Sequence, residues 1–219
     1  MKIKIDNKIK EICPNIHIGT IVANITVTQS SKELINLIDI TCETISNSLT
    51  TDKITSIPNI EKSRQAYLKL GKSPSRYRLS SEALLRRVVK GSGLYLINNI
   101  VEINNLISIK SGWSLGSYDL SNTQGEIFFT IGEDGESYKG IGKDNVNIEN
   151  LPVFADTIGK FGSTTSDSTR AMITEKTKSI MMNIISFDGK EGLNEYLNEA
   201  KELLIKYANA EILEININN

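Results

Sequence analysis

The sequence predicts an α+β fold, with mixed β-sheets and packed helices in layers, and three observations predict it. Helical patterns crowd the first half of the chain, and short apolar runs broken by Gly-rich turns follow; the two do not alternate as a doubly wound parallel sheet requires. Hydrophobic residues at 39% and charged residues at 23% supply a core and exclude wholesale disorder. A length of 219 residues suits one unit, so residues 1–219 are expected to form a single domain.

Each element has its own signal. Lys2 to Ile5 alternates like a strand, and Ile16 to Val27, after Pro14, is rich in the β-branched residues that suit a buried strand. Residues 31–50 carry Leu34, Ile35, Leu37, Ile38 and Ile45 at helical density, with Ser30 or Ser31 as the cap. Ile60 to Leu70 repeats the pattern, and Gly71 stands where a helix ends in the left-handed region. Leu84 to Val89 and Ile97 to Ile109 also read as helices. Glu126 to Thr130, Glu136 to Ile141 and Leu151 to Ile158 are strand-length runs, separated by turns such as Gly132 to Gly135. Ile180 to Phe187 is a further strand, Gly192 to Ala208 an amphipathic helix, and Ile212 to Ile217 a closing strand.

Several function classes fall away. Two cysteines, Cys13 and Cys42, and the single His17 are too few for a disulfide scaffold or a Cys/His metal site, so no metal is expected. The first residues scatter charges through any apolar segment, which argues against a signal peptide, and no run of 18 apolar residues spans a membrane. A cytoplasmic protein is expected. Gly112-Trp113-Ser114-Leu115-Gly116 matches the nucleophile elbow of hydrolases, yet the segment before it reads as helix and the one histidine lies upstream. Gly140-Ile141-Gly142-Lys143 lacks the spacing of a phosphate loop and reads as a hairpin turn, so no cofactor is expected. His17, between Ile16 and Ile18, reads as a hydrogen-bonded structural histidine.

The formal net charge of −1 conceals an asymmetry. Residues 62–90 hold nine cations and one acid, Glu82, a net +8 against −9 for the remainder. On a helix from about Ser80, Leu84, Leu85, Val88 and Val89 make one stripe, which puts Arg86, Arg87 and Lys90 on the outward side. Tyr67 and Tyr77 lie among these cations, where an exposed ring can stack on an unpaired base. Farther on, Ser163 to Thr169 is a run of seven hydroxyl or carboxyl side chains. It reads as a polar surface loop or as a pocket wall of donors and acceptors, with Asp167 its only carboxylate.

The stretches Lys72-Ser73-Pro74-Ser75-Arg76-Tyr77-Arg78, Glu82 to Arg87, Ile97 to Asn105 and Ser114 to Leu120 resemble the B3/B4 domain of the phenylalanyl-tRNA synthetase β subunit, and most closely the free-standing B3/4-domain proteins. The core of the resemblance is residues 62–187. In the synthetase this domain is the editing site that hydrolyses tyrosine wrongly attached to the phenylalanine tRNA, because a pocket built for phenylalanine rejects tyrosine poorly. The resemblance implies an RNA-binding B3/4 domain that acts in trans as an aminoacyl-tRNA hydrolase, its partner the aminoacylated 3′ end. Carried over by motif, the pocket asparagine falls on Asn105, the histidine eleven residues later on Gly116, the following aspartate on Asp119, and the acidic residue on Asp167. Gly116 is thus a departure, and no other histidine replaces the imidazole.

Asp167 and Asn105 are accordingly the expected catalytic residues. Gly116, Asp119, Ser163, Thr164, Thr165 and Ser166 are expected to bind substrate, and Lys72, Arg76, Arg78, Arg86, Arg87 and Lys90 to bind RNA phosphates. Two other readings stay open: a non-catalytic tRNA- or amino-acid-binding module, and a small-molecule binder with no RNA role. The RNA readings require the basic segment and the hydroxyl-rich loop to be neighbours in the fold.

Overall fold

A computed structural model describes residues 1–219. The chain runs β1 (Ile3–Ile5), α1 (Asn7–Ile12), β2 (His17–Asn24), α2 (Lys32–Ser48), α3 (Pro58–Lys69), α4 (Ser80–Val89), α5 (Asn99–Ser111) and β3 (Ser114–Asp119). Then follow β4 (Ile127–Ile131), β5 (Ser137–Lys139), β6 (Asn145–Asn147), β7 (Pro152–Ala155), β8 (Lys160–Ser163), β9 (Ser179–Ser186), α6 (Leu193–Ala208) and β10 (Glu211–Asn218). The α+β class is as expected, and each anticipated helix and strand is present with small shifts of its ends. Ser31 is the α2 cap, its Oγ accepting from Leu34 N at 3.2 Å, and Gly71 takes the left-handed φ of +80° beyond α3.

Two four-stranded sheets stack. An inner sheet, order β10-β2-β9-β3, is antiparallel throughout, and an outer sheet, order β1-β4-β7-β8, is mixed because β1 runs parallel to β4. Helices cover one face of the inner sheet, where Ile21, Ile180, Met182 and Ile184 share a core with Leu34, Ile103, Leu106, Ile107 and Leu204. The opposite face meets the outer sheet, where Ile18, Met181 and Ile185 pack with Ile3, Phe129, Phe154 and Phe161. Because both its faces are buried, β9 reads as an apolar run, broken only by Asn183 between Ile180 and Ile185, rather than as an alternation. Each fully buried Phe of that second core contributes about 2 kcal/mol or more of transfer free energy.

Four elements carry no clear sequence signal: α1, β3, β6 and β8. The most consequential is β3, where Gly116 and two serines dilute the β-branched pattern. Gly112 ends α5 at φ 75°, and Ser114 opens β3, so the G-x-S-x-G segment is a helix–turn–strand, the reverse order of a nucleophile elbow. Gly140 to Lys143 lies in the turn between β5 and β6. His17 is half-buried with Nδ1 2.9 Å from the Asn15 carbonyl. No helix is long and apolar enough to cross a membrane.

Candidate functional site

Asn104, Asn105 and Ser108 interrupt the apolar run of α5, and their spacing explains what they do. With Val101 they recur at i, i+3, i+4 and i+7, so the four form one stripe. That stripe lines a cavity of about 410 Å³. The Asn98 side chain starts α5 by accepting from Val101 N at 3.0 Å, which sets the stripe's height. Ser80 and Leu84 of α4, and Leu115 and Ser117 of β3, supply two further walls. Ile97, Ile141 and Met172 are lining residues that also remain exposed, so they form an apolar rim.

Asp167 and Asn105 both line this cavity. Ser117 Oγ donates to Asn104 Oδ1 at 2.9 Å, which holds Asn104 beside Asn105. The hydrogen bonds of Asp167 fall on one oxygen: Oδ1 accepts from Tyr118 Oη at 2.9 Å and from Ser163 N at 3.0 Å. Burial pushes the Asp167 carboxyl up to about 6, against the opposing pull of those two donors. Ser80 Oγ is buried and has no partner in the protein.

Tyr118 explains Gly116. Its ring packs edge-on to Phe161 at 5.0 Å and tilted against Phe154 at 5.3 Å, and its hydroxyl runs back across β3. A Cβ at Gly116 would overlap the Tyr118 hydroxyl, and so would one at Gly162. Both positions therefore exclude any side chain while the phenol reaches Asp167.

The other expected substrate-binding residues lie elsewhere. Asp119 is buried and accepts from Ser121 N, Ser121 Oγ and, at 2.7 Å, Thr177 Oγ1, which makes it a turn anchor. The hydroxyl-rich loop is tied inward rather than open as a pocket wall. Ser163 Oγ donates to the Ser166 carbonyl at 2.7 Å and accepts from Thr165 N and Ser166 N. Thr164 and Thr165 hydroxyls meet Tyr67 Oη, and Ser80 N donates to the Thr164 carbonyl. The loop thereby fixes Asp167 against the start of α4.

The basic segment also differs from its expected display. Glu82 is buried and gathers Arg64 at 2.7 Å, Arg86 at 2.9 Å and Arg78 at 3.5 Å. The buried stripe of α4 is Ser81, Glu82, Leu85 and Val88, while Leu84 turns to the cavity. Lys72 is 6% exposed, its ammonium held by Asn147 Oδ1 at 2.7 Å and the Glu149 carbonyl. Tyr67 is fully buried, so it offers no stacking face. Arg76 and Lys90 remain exposed, and Arg87 stacks 4.0 Å over the exposed ring of Tyr95. Arg87 lies one turn beyond Leu84 on the cavity-facing side of α4.

Of the expected site residues, Asp167 and Asn105 reach this cavity; Ser80, Ser117, Tyr118 and Tyr95 are not among the expected ones. The polar interruptions of α5 are a readable signal for the asparagine stripe; the Tyr118 arrangement depends on two glycines far apart in the chain and has none.

An α+β protein with an aliphatic cavity, tipped by one carboxylate and flanked by a basic helix, is the class these features define. The chain belongs to the B3/4 domain family, whose model matches residues 62–209. Among solved structures it is similar to an N-terminal fragment of the phenylalanyl-tRNA synthetase β subunit from Pyrococcus horikoshii, at 13% identity and a TM-score of 0.49. That match covers 96% of this chain and 50% of the other, so this chain spans half the length of that fragment. A comparison with curated proteins returned no match.

Proposed function

We propose that this chain is a tRNA-binding B3/4 protein that hydrolyses aminoacyl esters in trans. The observation that carries the reading is the convergence of Asp167 and Asn105 on one cavity walled by α4. In this reading the Asp167 carboxylate takes a proton from water, whose oxygen bonds to the acyl carbon. The Asn105 amide steadies the oxyanion, the ester C–O bond breaks, and Asp167 returns the proton to the leaving ribose oxygen. A carboxyl group that titrates near 6 suits that base at neutral pH. Arg76, Arg87 and Lys90 hold phosphates, and Tyr95 offers a face for an unpaired base.

We also take residues 1–219 as one unit, supported by β1 and β2, which precede the family match yet pair within the outer and inner sheets. The test is deacylation of a panel of aminoacyl-tRNAs by purified protein. Asp167→Ala is expected to lower the rate at least ~100-fold while circular dichroism stays unchanged. Failure to clear any aminoacyl-tRNA above the spontaneous rate refutes the catalytic reading.

A further inference from the structure

The charge of the cavity wall carries a consequence for its occupant. Among the lining residues Asp167 is the only ionisable one, and the rest are aliphatic, serine or asparagine. Lys143 and Arg87, near in sequence to lining residues, are engaged with Ser166 Oγ at 3.0 Å and with the Tyr95 ring. Neither is a lining residue. A ligand carboxylate placed here meets a like charge and finds no cation to offset it. An α-amino ester or amide carries net positive charge, whereas the free amino acid is a zwitterion. The difference is one full unit whichever way the ammonium points.

We infer that the cavity takes an apolar α-amino acyl group only in its esterified or amidated form and rejects the free amino acid. This rests on the proposed function, for which it names the substrate class and the force that expels the product: hydrolysis converts a neutral acyl carbon into a carboxylate facing Asp167. Seven of the thirteen lining residues are hydrophobic, Leu84, Val101, Leu115, Met172 and Ile173 among them, so an apolar acyl side chain gains burial that a short polar one does not.

Isothermal calorimetry on the full chain at pH ~7.5 tests this with leucinamide, phenylalaninamide, serinamide and the matching free amino acids as probes. The better apolar amide is expected to bind at least tenfold tighter than its free acid and tenfold tighter than serinamide. Asp167→Asn keeps the acceptor for Tyr118 and is expected to shrink the amide-to-acid ratio below threefold. Equal binding of amide and acid, an unchanged ratio in Asp167→Asn, comparable binding of serinamide, or no binding by any probe each overturns the inference. A protein that fails to deacylate tRNA but keeps the amide preference refutes the proposed function alone; one that deacylates but binds amide and acid equally refutes this inference alone.

Discussion

Asp167, buried and with its hydrogen bonds confined to one oxygen, is a poor place for charge. The folded chain holds the Asp167 proton more tightly than an unfolded chain, with a value of about 6 against about 4 for a free aspartate. Asp167→Asn removes that cost and is expected to raise the melting temperature by several degrees at pH ~7.5, while abolishing deacylation. Gly116→Ala makes a complementary change at the back of the site. Its Cβ displaces the Tyr118 hydroxyl, so deacylation is expected to fall at least tenfold, and stability by about 1–3 kcal/mol in urea unfolding. Asp167 and Asn105 are legible through resemblance, because local motifs flank each. Tyr118 is not, because its role requires Gly116 and Gly162 to face each other across two sheets.

Helix α4 shows how an element can satisfy its own periodicity and still mislead. Its apolar stripe is legible, but in the sequence its lone acid counts only as a subtraction of charge. Glu82 instead sits in the stripe and draws Arg64, Arg78 and Arg86 around it. Glu82→Gln leaves those guanidinium groups without their shared partner and is expected to cost about 3 kcal/mol, the low end for a buried pair because the arginines stay partly exposed. Urea unfolding measures it. That pairing engages Arg78 and Arg86, and Asn147 with the Glu149 carbonyl engages Lys72, which leaves Arg76, Arg87 and Lys90 of the expected set for phosphate. Log K for tRNA against log salt is therefore expected to have a slope of about −2 to −3, and a slope of about −5 would restore the wider surface.

At the scale of the molecule, strands buried on both faces are the most legible part of the fold, since Ile21 to Ala23 of β2 and Ile180 to Met182 of β9 are unbroken apolar stretches. Strand β3, at the edge of that sheet and next to the cavity, is the least legible, since close packing against Tyr118 puts glycine there and two serines flank it. The Asp167 site also leaves a mark on global stability. Because its folded value is raised, its contribution grows as pH falls from about 7 through 6 toward 4, by up to about 3 kcal/mol. Tyr118, Tyr138 and, through Ser166, Lys143 are the titratable groups around it. Melting temperature is expected to rise over that window, as pH falls, relative to Asp167→Asn, and parallel curves would contradict it.

Lys72 gives the molecule a structural link as well. Its ammonium pins the loop that bears Arg76 to Asn147 and Glu149, at the far strand of the hairpin whose turn bears Ile141. Tyr138, on the near strand, is tied in turn to the Ser166 carbonyl beside Asp167. Loop, hairpin and carboxylate are thus joined by one chain of hydrogen bonds that runs from the arginine-bearing loop to the residue next to Asp167.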